Sequence, residues 1–152
     1  GVSPRRTEED KGVWIEARHD GYREEFGLVH RRRIYVAISG DDFRGEDALI
    51  RPIADGVTSR GKIPFAVRFH LHPDVRAALS TDKRSVTLAL PGGAVWRFRS
   101  DHEANLQESV YFAGVAPRKS LQIVLSGEAE PNSDGAAAPN RVMWRLTPTE
   151  SA

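Results

Sequence analysis

The amino-acid sequence contains no cysteine among its 152 residues. This absence excludes a disulfide framework, a cysteine-ligated zinc site and a thiol nucleophile. No stretch approaches the roughly 18–20 consecutive apolar residues of a membrane-spanning helix, so no membrane partner is expected. Residues 1–7 include neither an initiator methionine nor an apolar stretch. We therefore expect no signal peptide here and interpret the start of the chain as the cut end of a longer protein.

An excess of charge of one sign is also missing. The sequence has 22 lysines and arginines against 21 aspartates and glutamates, a formal net charge of +1. General attraction to nucleic acid is therefore not indicated, and no nucleic-acid partner is predicted. A glycine-rich phosphate loop, a Gly-x-Ser-x-Gly nucleophile elbow and a His-Glu-x-x-His zinc helix are absent as well. The length and the 39% hydrophobic content fit a single globular domain over residues 1–152.

What the sequence does contain is an alternation of period two. Residues 63–72 show it most clearly, because every odd position is a large apolar residue and the even positions are mainly small or polar. Such alternation is typical of a strand with one face in a core. About ten short segments of this kind, with no sustained helical periodicity, predict an all-β fold. We expect an antiparallel β-sandwich with little or no helix.

Turn residues separate these segments. Pro91-Gly92-Gly93 is the strongest hairpin prediction, because glycine accepts a positive φ. Residues 75–79 fit one helical turn or a bend after Pro73. The small, polar stretch 128–140 is predicted to be a mobile loop, and residues 147–152 a frayed tail.

His70-x-His72 is the first group that carries candidate chemistry. On a strand these two side chains share a face, with Cα atoms about 6.5–7 Å apart, so they can hold one metal ion together. A third ligand is needed, and Asp74 lies beyond a proline. The alternative is a solvent-facing row of Arg68, His70 and His72, which is the default on a half-buried sheet.

The second group runs from His19-Asp20-Gly21-Tyr22 to Arg31-Arg32-Arg33. The imidazole of His19 fits a metal ligand or a general base, and the phenol of Tyr22 fits a proton donor. The alternative is an Asp-Gly turn with its flanking aromatic residue packed down. Within a strand, the consecutive arginines must point to opposite faces.

The third group is Arg44-Gly45-Glu46-Asp47. A glycine inside a strand pattern indicates a bulge or a close approach of backbone. Glu46 and Asp47 either bind a cation or pair with the arginines of residues 31–33. The structural alternative is an ion pair at the edge of a sheet.

Six segments, in order, add a resemblance to a known family. They are WIEARHDGY (14–22), FGLVHRRR (26–33), GED (45–47), RFHLHP (68–73), WRF (96–98) and QIVLSG (122–127). Together they resemble the C-terminal domain of the heparinase II/III-like family over nearly the whole chain. The resemblance implies a bacterial enzyme in which an N-terminal helical toroid packs against this β-sandwich. Known members are polysaccharide lyases that cleave uronate-containing chains, such as glycosaminoglycans, by β-elimination.

The resemblance also assigns roles to residues. The toroid holds most of the catalytic groups, so no catalytic residue is assigned within this chain, and the acidic polysaccharide is a partner of the parent enzyme. His19 is the candidate ligand of a divalent metal, zinc or calcium, whose other ligands lie mostly outside this chain. Tyr22, Arg31 and Arg33 are the candidate substrate-binding residues. For the two arginines the expectation comes from charge chemistry, because a guanidinium pairs bidentately with a carboxylate. The sequence leaves open whether the parent is periplasmic or cytoplasmic.

Two other functions stay open. A stand-alone carbohydrate-binding module needs an exposed aromatic platform, whereas Trp14, Trp96 and Trp144 are predicted to lie mainly in the core. A small cupin-like metal-binding protein would use His70 and His72, and it needs a third inward-pointing ligand close to both.

Overall fold

A computed structural model describes residues 2–9, 12–19, 28–51, 61–112, 114, 116–130 and 139–149. These residues contain no helix, and their secondary structure consists of eleven strands. The strands are β1 (Val2–Glu9), β2 (Gly12–His19), β3 (Val29–Ala37), β4 (Phe43–Ile50), β5 (Ile63–His70), β6 (Arg76–Leu79), β7 (Ser85–Ala89), β8 (Val95–Ser100), β9 (Ala104–Tyr111), β10 (Arg118–Ala129) and β11 (Arg141–Pro148). The all-β prediction is confirmed, with one strand more than the ten or so expected. The described part of the chain has no apolar helix of membrane-spanning length.

The strands form two sheets. Hydrogen-bonded neighbours follow the order β1-β2-β3-β4-β11-β8-β7-β6 in one sheet and β5-β10-β9 in the other. The hairpin-linked pairs are antiparallel, as predicted. The last strand, β11, lies beside β4, so β4 is an interior strand and not an edge strand.

The chain divides into two compact units, each with buried apolar side chains. Unit 1 comprises Gly1–Phe65 and Gly127–Trp144, and unit 2 comprises Ala66–Ser126 and Arg145–Ala152. Buried apolar residues of unit 1 are Leu28, Val29, Ala48, Leu49, Ile63, Phe65, Ala129, Val142 and Trp144. Those of unit 2 are Val67, Val86, Leu88, Phe98, Ala104, Ile123, Val124 and Leu125. The residues hydrogen-bonded to Asp47, on β3 and β11, all lie in unit 1.

Local sequence accounts for most strands and turns. In β5 the apolar Ile63, Phe65 and Val67 are buried, as the alternation predicts. The β7–β8 hairpin is also confirmed, because both Gly92 and Gly93 have positive φ, at 95° and 99°. Residues other than glycine rarely adopt this conformation.

Residues 75–79 differ from the prediction. They do not form a helical turn, because Arg76–Leu79 is the strand β6, paired with β7 from Arg76 opposite Ala89 to Leu79 opposite Val86. The bend comes earlier, where the backbone N–H of Val75 donates to the carbonyl of His72 at 3.0 Å. Backbone pairing with β7 therefore decides the conformation of this short segment.

The predicted loop and tail are shorter than expected where the structure describes them. Strand β10 continues to Ala129, and Asn140 is buried, so both ends of the predicted mobile loop differ from the expectation. Residues 131–138 of that prediction lie outside the described residues. At the C-terminus, β11 runs to Pro148, and the N–H of Thr149 donates to the carbonyl of Val95 at 2.8 Å. Residues 150–152 lie outside the described residues.

Candidate functional site

The strand registers of unit 1 sort the side chains of β3 onto two faces. Arg32 lies opposite Asp47 on β4, and Arg33 lies opposite Glu46. Successive residues of a strand point to opposite faces, so these two arginines belong to different faces of the sheet. The predicted division of residues 31–33 between two faces is therefore confirmed.

One face holds a buried carboxylate, that of Asp47, with only 1% of its side chain exposed. Its Oδ1 accepts a hydrogen bond from Nε of Arg32 at 2.7 Å and lies 2.6 Å from Nε2 of His30. Its Oδ2 accepts from the indole Nε1 of Trp144 at 2.9 Å. We call these four residues the Asp47 network. A buried charge is costly unless it is paired and hydrogen-bonded, and here both oxygens have partners.

Opposing influences act on the pKa of Asp47. Burial has the largest single effect and raises the pKa, because removal from water disfavours the carboxylate. The hydrogen bond from His30, together with the charge and hydrogen bond of Arg32, outweighs burial and brings the pKa below its ordinary value. Asp47 is therefore an ionised structural anchor at neutral pH and not a proton donor.

Gly45 allows Trp144 to reach this carboxylate. A Cβ atom at position 45 would lie 1.9 Å from Cε2 of Trp144, far closer than packing permits. The predicted close approach at Gly45 is thus confirmed, and so is the pairing of Glu46 and Asp47 with the arginines of residues 31–33. The expected position at a sheet edge is wrong, because β11 covers that side of β4.

The opposite face combines arginines with aromatic rings. Cζ of Arg33 lies 5.7 Å from the ring centroid of Trp14, and Nε of Arg33 lies 3.5 Å from Oε2 of Glu16. The rings of Trp14 and Tyr35 pack with their centroids 5.2 Å apart. We call this surface the arginine face. Its side chains from β2 to β4 are Trp14, Glu16, Arg18, Arg31, Arg33, Tyr35, Arg44, Glu46 and Ala48.

Of the three predicted substrate-binding residues, the structure brings two together on this face. Arg33 keeps 44% of its side chain exposed. Arg31 is 18% exposed, and its Nη2 donates to Oε1 of Glu46 at 2.9 Å. Tyr22 lies outside the described residues. Substrate binding by these residues remains a prediction, and Arg33 is the more accessible of the two arginines.

The predicted metal ligand His19 ends β2. Its backbone lies opposite His30 of β3, and its side chain falls outside the description. In the described ranges, no group of three His, Cys, Asp or Glu residues is placed to hold a metal ion. Asp47, which contacts His30, already engages Arg32 and Trp144. The side chains that are described here do not fit a metal centre, and a metal at His19 stays a prediction.

His70 and His72 do not share a strand face. Strand β5 ends at His70, whose Nδ1 lies 3.2 Å from Oγ of Ser109. His72 belongs to the following turn, where its Nδ1 accepts from the backbone N–H of Asp74 at 3.1 Å. Pro73 and this turn end the alternation that predicted the pair. The cupin-like alternative therefore lacks its geometry within the described residues.

The three tryptophans are placed differently. Trp144 is a core residue, as predicted, at 9% exposed. Trp14 and Trp96 are only half-buried, and Trp14 lies beneath Arg33 on the arginine face. Neither forms the exposed platform that a stand-alone carbohydrate-binding module needs.

Asn140 is a buried polar residue that sequence reasoning missed. Its Nδ2 donates to the carbonyls of Leu49 and Glu130, both at 2.8 Å, and its Oδ1 accepts from the N–H of Glu130 at 2.7 Å. These bonds join the end of β10 to β4 at the start of β11. The only sequence signal was an asparagine directly before an alternating segment, which is also typical of a turn.

Comparison with known proteins identifies the family. Residues 1–145 match the family described as heparinase II/III-like, C-terminal. The chain belongs to this family. FtsZ-localized protein C of Caulobacter vibrioides is 37% identical over 153 residues, covering 98% of this chain and 26% of the relative.

Solved structures share the heparinase II/III-like fold. Heparan sulfate lyase HepC of Pedobacter heparinus superposes with a TM-score of 0.70 at 13% identity, over 99% of this chain and 22% of the lyase. A heparinase III superposes with a TM-score of 0.63 at 15% identity, again over 99% and 22%. At such identities the likeness shows the fold alone. The chain spans about a quarter of the length of the relatives it matches.

Proposed function

We propose that this chain is the C-terminal domain of a larger protein that binds and cleaves an acidic, uronate-containing polysaccharide. Its partner within that protein is an N-terminal helical domain, and the arginine face contributes to polysaccharide binding. Membership of the heparinase II/III-like family over residues 1–145 carries the proposal. The fold shared with a heparan sulfate lyase supports it.

The described residues suit binding better than proton transfer. β-Elimination needs neutralisation of the uronate carboxylate, a base for the adjacent proton and an acid for the leaving oxygen. Asp47 is ionised and fully engaged, so the acid and base come from the helical domain in this proposal. Arg33 is suited to a carboxylate, because its guanidinium lies over the ring of Trp14 while 44% of its side chain remains exposed.

The decisive experiment compares the longer protein, including its N-terminal region, with the 152-residue chain. Each is incubated with a panel of acidic polysaccharides, and new ultraviolet absorbance of unsaturated uronate is recorded. We expect product from the longer protein and none from the chain alone. A folded longer protein that yields no unsaturated product from any uronate polysaccharide would contradict the proposal.

Arg33→Gln tests the binding role within the longer protein. Loss of one charged hydrogen bond is expected to raise KM about tenfold with little change in kcat. The matched control is Arg99→Gln, which alters an exposed strand arginine of unit 2. Equal KM values for the two variants would exclude Arg33 from binding.

A second candidate function comes from the 37% identical relative, whose name states that it is FtsZ-localized. The larger protein would then act where FtsZ assembles. A fluorescent fusion should co-localise with FtsZ and disperse when FtsZ is depleted. A uniform distribution in cells with intact FtsZ would rule out this function and would leave the lyase proposal standing.

A further inference from the structure

The arginine face continues from β4 onto β11. The backbone N–H of Leu49 donates to the carbonyl of Asn140 at 2.9 Å, which places the next residues, Ala48 and Arg141, opposite each other. The contact of Trp144 with β4 four residues further along agrees with this antiparallel register. Arg141 therefore projects from the same face as Ala48.

Ala48 separates two arginines in one row across the sheet. It lies opposite Arg31 on β3 and beside Arg141 on β11. With strands about 4.8 Å apart, the Cα atoms of the two arginines are about 9.6 Å apart. Ala48 itself is buried, with only 1% exposed. The row thus has a small, apolar floor between two cations.

Both arginines have a buried donor that lacks an acceptor. Nε of Arg31 and Nε of Arg141 are buried and have no hydrogen-bond partner. Native proteins leave few buried donors unpaired, because such a group has lost its hydration without gaining a bond. Two guanidinium donors of this kind, in one row and on one face, point to an acceptor supplied from outside the chain.

The side chains of this row are positively charged on three of its strands. Arg18 lies opposite Arg31 on β2 with 53% of its side chain exposed, so three arginines share the row. The carboxylates of Glu16 and Glu46 belong to the adjacent row, from which Glu16 pairs with Arg18 at 3.3 Å and Glu46 pairs with Arg31 at 2.9 Å. Across the described part of this face, five arginines outnumber these two glutamates, and the excess positive charge favours an anion.

We propose that Arg31 and Arg141, on either side of Ala48, form a subsite for one oxoanion group, a carboxylate or sulfate, of an acidic saccharide. The inference rests on the proposed function and extends it with a residue, Arg141, and a floor, Ala48. The planar guanidinium groups match the spacing of oxoanion oxygens and would bind the group from both sides.

The test follows the Nε–Hε resonances of the 152-residue chain by NMR during titration with sodium glucuronate and, separately, sodium sulfate. The signals of Arg31 and Arg141 should shift together and saturate, while that of Arg99 stays in place. Glucose serves as the neutral control and should move neither signal. Absence of a shift at both arginines, or an equal shift at Arg99, overturns the subsite.

Variants make the test specific. Arg141→Gln should weaken glucuronate binding about tenfold, as expected for loss of one charged hydrogen bond, whereas Arg99→Gln should leave it unchanged. Ala48→Leu fills the floor and should abolish the shift at Arg31. Because a larger side chain at this buried position can impair folding, its result counts only when the other amide signals keep their positions. Unchanged glucuronate binding by folded Arg141→Gln also overturns the proposal.

Failure of this inference is distinguishable from failure of the proposed function. Saturable shifts at Arg31 and Arg141, combined with a longer protein that cleaves no uronate polysaccharide, support the subsite and contradict the lyase function. Cleavage by the longer protein without any shift at these arginines supports the lyase function and contradicts the subsite.

Discussion

Asp47 joins three strands through one side chain. It lies on β4, contacts His30 and Arg32 on β3, and accepts the indole N–H of Trp144 on β11. Removing one partner of a buried ion pair leaves the other charge uncompensated, which costs more than the pair itself contributes. The Asp47 network is thus a point where a single substitution affects several strands.

Asp47→Asn is expected to lower the free energy of unfolding by about 2–3 kcal/mol, because the buried side chain loses its charged hydrogen bonds with His30 and the half-buried Arg32. Urea denaturation measures the change. Asp101→Asn is the matched control, since Asp101 is 45% exposed beside His102, and it should cost no more than about 1 kcal/mol. Similar losses for the two variants would mean that the Asp47 network contributes little to stability.

The pKa of Asp47 predicts a pH dependence. Its pKa in the folded chain is below the ordinary value, so as pH falls the unfolded chain takes up the proton first. The stability contributed by Asp47 is present above about pH 4, the ordinary range of an aspartate, and is lost as pH falls through the lower folded value. The difference in unfolding free energy between wild type and Asp47→Asn should therefore shrink toward pH 3. A difference that stays constant from pH 7 to pH 3 would contradict this.

Gly45→Ala tests the contact between backbone and indole. The added methyl group would overlap Trp144, so the indole must move away, and the expected loss is about 1–3 kcal/mol by urea denaturation. Gly61→Ala is the control, because a Cβ at that position meets no atom within 4 Å. If Gly45→Ala is as stable as Gly61→Ala, the indole does not lie on β4 in solution.

At the scale of elements, β4 depends on partners that are distant in sequence. Its neighbour β11 begins directly after Asn140, whose side chain binds both Leu49 on β4 and Glu130 after β10. Three chain segments therefore meet at one amide group. Such a junction sets where β11 begins and aligns Trp144 with Gly45.

Asn140→Ala should lower the free energy of unfolding by about 2–4 kcal/mol, because the carbonyls of Leu49 and Glu130 and the N–H of Glu130 lose their partner. Hydrogen exchange should show faster exchange of the Glu130 amide in particular. Asn105→Ala, at an exposed position of β9, should change neither quantity. Unaltered exchange at Glu130 would show that the side chain of Asn140 does not hold this junction.

At the scale of the whole molecule, the net charge of +1 conceals an uneven distribution. Among the described residues, the arginine face with Arg141 carries five arginines against two glutamates, Glu16 and Glu46. A net charge close to zero therefore does not prevent local attraction of this face to a polyanion.

Binding of the chain to an immobilised uronate polysaccharide should decrease steeply between about 0.05 and 0.5 M NaCl, because exposed charges are screened over these concentrations. A neutral polysaccharide column is the control and should retain the chain at neither concentration. Retention that is independent of salt would indicate that the arginine face does not provide the binding.

The sequence predicts the parts of this fold that depend on local pattern. Alternation in β5 and the glycine pair of the β7–β8 turn are properties of neighbouring residues, so they could be read directly. The same alternation wrongly predicted that His72 shares a strand face with His70, because the pattern continues past His70 while the strand ends there. The bond between Trp144 and Asp47 joins residues 97 positions apart, and no local pattern indicates which strand lies beside β4. Arg31 and Arg33 could be found as candidates because they belong to one run of neighbouring arginines. Arg141 could not be found, because the pairing of β4 with β11 is a tertiary property.

The run Arg31-Arg32-Arg33 affects how the register of β3 against β4 is selected during folding. A slip of one residue in β3 would still set an arginine beside Asp47, so the ion pair alone cannot reject the wrong alignment. The slip would, however, turn Ile34 toward the arginine face and Tyr35 away from Trp14. Apolar neighbours of the run, and not its charges, must therefore select the correct register, and substitutions at Ile34 should increase misaligned folding more than substitutions of any single arginine.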